Sequence, residues 1–114
     1  DQAFTHGVQL GVMASGGGNL AQATNQLIEG FRQSNPNLRR SGNNVRTNVA
    51  GRNGLGATLL NQGPNGEREF IMLSTATLSD GSTFFILGVA PENEARTYQQ
   101  VFARVRQQVV INDR

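Results

Sequence analysis

Two short apolar runs constrain this chain more than anything else in it. Phe70-Ile71-Met72-Leu73 and Phe84-Phe85-Ile86-Leu87 are apolar at consecutive positions. A strand with one wet face alternates between apolar and polar residues, so unbroken apolarity means that both faces are covered. These runs therefore read as central strands of a layered domain. Turn chemistry brackets them. Asn65-Gly66, within Gly63-Pro64-Asn65-Gly66, precedes the first run, and Asp80-Gly81, within Ser79–Ser82, separates the two. Both pairs are strong hairpin signals. Glu67–Leu78 and Thr83–Ala90 are thus expected as adjacent antiparallel strands.

The rest of the chain supplies neighbours and cover. Phe4–Met13 reads as a strand in which Val8, Leu10 and Val12 alternate with Gly7, Gln9 and Gly11. The glycines point to a close neighbour or a bend on their face. Ala14–Gly18 is a loop. Asn19–Ser34 reads as a helix, with Leu20, Leu27, Ile28 and Phe31 on one face and Ala23 and Thr24 between them. Asn19 or a preceding glycine suits the cap, and Asn35-Pro36 ends the helix because a residue before proline avoids the α region.

Leu38–Asn44 is polar and irregular. Val45–Arg52 and Gly54–Asn61 alternate as strands. Pro91–Val109 reads as a second helix, with Pro91, Glu92 and Glu94 suited to its first turn. Ala95, Tyr98, Phe102, Val105 and Val109 form its apolar stripe, while Arg96, Arg104 and Arg106 point elsewhere. Val110-Ile111 adds a short terminal strand. The expected order is β-α-β-β-β-β-α, an α+β domain with a mainly antiparallel sheet and helices on its faces. At 114 residues the chain holds one such domain and not two.

Chemistry is sparse. There is no cysteine, so disulfides and thiolate chemistry are out. The stretch Gly11–Leu20, with Gly16-Gly17-Gly18, resembles a phosphate-binding turn. Gly11 and Gly16 even have the phosphate-loop spacing, but Gly17 stands where that motif needs lysine and Gly18 where it needs a hydroxyl. The chain has no lysine anywhere, so its net charge of +2 rests on arginine alone. His6 is the lone histidine, and the acidic residues are scattered, which leaves no converging metal ligands. No cofactor is expected in this chain. Glu67 and Glu69 share a strand face and could pair as acid and base, but a solvated strand end accounts for them.

Arg39, Arg40, Arg46 and Arg52 cluster in sequence, and Gly51-Arg52-Asn53-Gly54 matches the Gly-x-x-Gly of nucleic-acid-clamping loops. That loop joins two helices, whereas this one joins two strands and lacks stacking aromatics. A protein-contact surface centred on Arg46, Arg52, Asn53 and Leu55 is the better reading, without nucleic acid.

One resemblance covers nearly the whole chain. THGVQLGVM, NQLIEGFRQSNPNLR, GRNGLGATLLNQGPNGEREF and DGSTFFILGVAPENEARTYQQVFARVRQQV together resemble the C-terminal accessory domain of bacterial HtpX/CAAX-prenyl-protease-like zinc metallopeptidases. Its specific parts are Ser34-Asn35-Pro36, Gly51-Arg52 with Gly54-Leu55, and Val89-Ala90-Pro91 with Tyr98 and Phe102. The strand-rich middle and the Tyr-x-x-x-Phe helix also look like the PsbP-like α/β/α sandwich. The resemblance implies a C-terminal part of a longer secreted or periplasmic protein. Zinc and the His-Glu-x-x-His motif, absent here, would lie in an upstream peptidase domain. It implies a non-catalytic role: docking on that domain or on substrate polypeptide. The alternative is a stand-alone small-ligand module, which would need an apolar pocket with converging arginines.

Overall fold

The computed structural model describes residues 7–14, 19–63 and 66–111. His6, the Gly16–Gly18 loop and Asn65 of the first hairpin turn lie outside the described residues. Among the described residues six strands form one antiparallel sheet. They are β1 (Gly7–Met13), β2 (Arg39–Arg40), β3 (Val45–Val49), β4 (Arg52–Gln62), β5 (Arg68–Thr77) and β6 (Thr83–Pro91). The described residues also form two helices, α1 (Leu20–Ser34) and α2 (Ala95–Gln108), with a 3-10 turn at Glu92–Glu94 leading into the second. The strand order is β1-β6-β5-β4-β2, with β3 also pairing β4.

The two apolar runs do occupy the centre. β5 and β6 lie between β1 and β4, and each face of the sheet carries one helix. Registers assign the faces. Ile71 faces Val89 and Leu73 faces Leu87 across β5 and β6, on the side where Leu27 and Ile28 of α1 seal the larger core. Ala76 opposite Phe84, with Ile86 and Val49, forms the other core, closed by Val105, Val109 and Ile111 around α2.

Local chemistry explains the ends of α1. Asn19 accepts from Gln22 N at 2.9 Å, and Gln22 Oε1 accepts from Asn19 N at 3.2 Å, a reciprocal capping box. At the other end Asn35 N donates to Phe31 O at 3.0 Å and its side chain donates to the same oxygen at 3.0 Å.

Four expectations are corrected. Leu38–Asn44 is not wholly irregular: Arg39 and Arg40 pair with Leu60 and Leu59, which gives a fifth strand after α1. Pro91 does not start a helix. It closes β6 opposite Glu69, with extended backbone, and the α-helix begins four residues later. Val110-Ile111 is not a strand. Arg52 belongs to β4 and not to the strand before it, because the turn is only Ala50-Gly51.

That turn has φ of 53° at Ala50 and 84° at Gly51. Positive φ at both central residues is the hairpin geometry that matches strand twist. Alanine tolerates it poorly, and a tertiary bond holds it: Ala50 N donates to Arg106 O of α2 at 2.9 Å. Arg106 thus turns inward more than its position on the helical pattern suggests. It is half-buried, and its Nε is buried without a hydrogen-bond partner among the described residues.

Candidate functional site

The four residues expected to form a contact surface divide in two. Arg46 pairs with Leu55 and Asn48 with Asn53, so Arg46, Leu55 and Asn53 share the face of the sheet that carries α1. Arg46 and Asn53 are exposed there, and Leu55 is half-buried. Arg52 pairs with Val49 and points to the opposite face, where its Nη1 donates to Thr77 O at 3.2 Å. The Gly51–Gly54 segment is therefore a tight hairpin running into a strand. It has no open loop to clamp a phosphate backbone.

The wider arginine cluster also disperses. Arg39 and Arg40 are neighbours in β2 and so point to opposite faces. Arg40 is committed within the fold: it donates to Asn44 Oδ1 at 2.6 Å and to Asn25 Oδ1 of α1.

Glu67 and Glu69 separate as well. Glu67 is exposed, in keeping with a solvated strand end, but Glu69 is only 4% exposed, which corrects that reading. Asn61, directly opposite on β4, donates from Nδ2 to Glu69 Oε1 at 2.8 Å. Asn61 Oδ1 is buried and has no hydrogen-bond partner among the described residues. A cleft of about 400 Å³ opens beside this pair. Arg39, Arg68 and Glu92 reach its walls, and Arg68 Nη2 lies 3.4 Å from Glu92 Oε2. Leu60 is the one apolar residue among the described residues that line it. Among the described residues no three His, Asp or Glu side chains converge as a metal site.

The sequence did carry a signal for Glu69. It has the strand parity of Ile71 and Leu73, both buried under α1. A carboxylate on that parity is carried inward with them.

A second surface lies on β1, and the alternation of Val8, Leu10 and Val12 did not show it. Apolar alternation ordinarily marks the covered face of a strand. Here these residues are 39%, 48% and 60% exposed. Their partners Gly88, Ile86 and Phe84 are buried on the same face, the side of α2. The reason is width. A sheet five strand positions across spans about 20 Å or more at ~4.8 Å per strand, while one helix covers about 10 Å. α2 packs on β6, β5 and β3.

On the glycine face Gln9 is exposed and a Cβ at Gly7 would meet nothing within 4 Å, so the close neighbour that the glycines suggest is found at Gly11. A Cβ at Gly11 would meet Phe85 Cζ at 2.5 Å, so only glycine lets that ring, which packs edge-on against Phe31, lie so close. Among the described residues β1 pairs with β6 alone, so its outer edge carries an unpaired row of backbone groups.

A scan against protein-family models finds no match to this chain, and a search of curated proteins finds no similar sequence.

Proposed function

We propose that this domain is a non-catalytic docking module. It serves as the C-terminal accessory domain of an HtpX/CAAX-prenyl-protease-like zinc metallopeptidase, with a PsbP-like arrangement of its layers. Zinc and peptide-bond hydrolysis belong to a separate catalytic domain, in a secreted or periplasmic protein. The present domain holds a polypeptide.

One observation carries the docking reading. Val8, Leu10 and Val12 form an exposed apolar row on a strand whose outer ladder edge is unpaired among the described residues. Such an edge accepts an added strand: backbone bonds supply affinity, and alternate side chains pack on the apolar row. The cleft beside Glu69 supports the small-ligand alternative less well. Its arginines reach a polar wall, whereas small-ligand pockets are mostly apolar.

The test is binding of an unfolded polypeptide, fluorescently labelled reduced carboxymethylated α-lactalbumin. Saturable binding that Leu10→Arg removes and Arg68→Ala leaves intact is expected. Binding that ignores Leu10→Arg, or depends on Arg68, would overturn the reading.

A further inference from the structure

We infer that the β1 edge docks onto the β1 edge of a second copy of this chain. This rests on the docking reading of the same edge, for which a second copy and a polypeptide strand then compete.

The argument starts from the residue order Gly7-Val8-Gln9-Leu10-Gly11-Val12-Met13. Two such strands laid antiparallel about a two-fold axis at Leu10 are self-complementary. Leu10 meets Leu10, Val8 meets Val12 of the second copy, and Val12 meets its Val8. All of these lie on the face that α2 leaves open. The apolar rows then continue across four strands, because Leu10 is already flanked by Ile86 and Val12 by Phe84. On the other face Gln9 meets Gly11, over which the Phe85 ring already lies, and Gly7 meets Met13.

No other register does as well. Sliding by two residues sets a valine of each copy opposite a position beyond β1, Val8 against Ala14 in one direction and Val12 past Gly7 in the other. Sliding by one puts the apolar rows on opposite faces.

The two edges of the sheet also differ in protection. Natural edges are blunted by charge or proline. The far edge carries Arg39, Arg40 and Arg46 on β2 and β3. β1 has no charged residue and no proline. With the far edge blunted by charge, pairing ends at a closed two-fold dimer and does not continue into a fibre. The product is two six-stranded sheets joined edge to edge.

The experiment is sedimentation equilibrium on the full chain over a wide concentration range, with circular dichroism to confirm folding. The wild-type chain should approach twice its monomer mass of 12.3 kDa, and Leu10→Arg should remain at that mass with an unchanged spectrum. Because the chain has no cysteine, a single introduced thiol is a clean second reporter. Leu10→Cys should form a disulfide-linked dimer under mild oxidation far faster than Val45→Cys on the opposite edge, and this reading survives if Leu10→Arg fails to fold. Equal cross-linking at both positions would overturn the pairing. A wild-type chain that stays monomeric but binds the unfolded polypeptide overturns the homotypic partner and leaves docking standing. A monomer that binds neither overturns both.

Discussion

The ring of Phe102 rests on the backbone of Gly88: a Cβ built at Gly88 would lie 2.6 Å from both Cδ1 and Cε1 of that ring. Phe102 is the one buried residue of α2, and Tyr98 packs against it at a centroid distance of 5.8 Å. The contact sets how close the helix sits to the sheet. Gly88→Ala should therefore cost about 1–3 kcal/mol through overpacking. Urea denaturation measures it. Adding Phe102→Leu should recover part of the loss, since neighbouring substitutions are not additive. Strict additivity would show that the ring is not seated on Gly88.

On the opposite face the seam between α1 and the sheet contains a polar pair. Thr24 Oγ1 lies 2.7 Å from Thr75 Oγ1, and both residues are fully buried. Thr24 donates to Leu20 O at 2.8 Å, which leaves the proton between the two hydroxyls to Thr75, whose other contact is a long one to Leu55 O at 3.5 Å. Thr24→Val keeps the shape but leaves the Thr75 hydroxyl only its long contact to Leu55 O, at a cost of about 1–3 kcal/mol. Thr24→Val with Thr75→Val removes both partners and should cost less than the sum of the single changes. A double-mutant cycle by thermal or urea unfolding decides it.

These relationships show where sequence reasoning reaches and where it stops. Phe70–Leu73 and Phe84–Leu87 announced the central strands because burial on both faces leaves a local signature. Asp80-Gly81 announced its turn for the same reason: Asp80 Oδ1 accepts from Ser82 N at 2.9 Å, and Gly81 has φ 88°. β2 was hidden, since a two-residue strand has no period. The exposure of Val8, Leu10 and Val12 was hidden too. Their alternation says that they share a face, but which face is covered depends on how far α2 reaches across the sheet. Burial of Glu69 was legible in its parity with Ile71. Its partner Asn61 was not, because only register brings them together.

Glu69 and Asn61 make that register testable. Glu69→Ala leaves the Asn61 amide buried with its Nδ2 donor unmatched as well as its Oδ1 acceptor, so a loss of about 1–3 kcal/mol is expected. Glu69→Gln keeps an acceptor for Nδ2, so it should cost clearly less than Glu69→Ala. Chemical denaturation of the two variants gives the order. Equal losses would mean that the Asn61 bond contributes nothing specific.

The hairpin between β3 and β4 offers the one change expected to stabilise the fold. Ala50 sits at φ 53°, where its Cβ crowds the backbone, and Gly51 follows at φ 84°. The turn type prefers asparagine followed by glycine. Ala50 is half-buried, and its N–H bond to Arg106 O is a backbone bond that any residue but proline retains. Ala50→Asn should therefore raise stability by roughly 0.5–1 kcal/mol, the range expected when a residue suits its native backbone better. Ala50→Pro should do the reverse, because it removes the N–H that anchors the hairpin to α2 and cannot adopt positive φ. Thermal unfolding of the pair separates the two effects. If Ala50→Asn lowers the midpoint, the left-handed turn is being held by α2 against a different intrinsic preference.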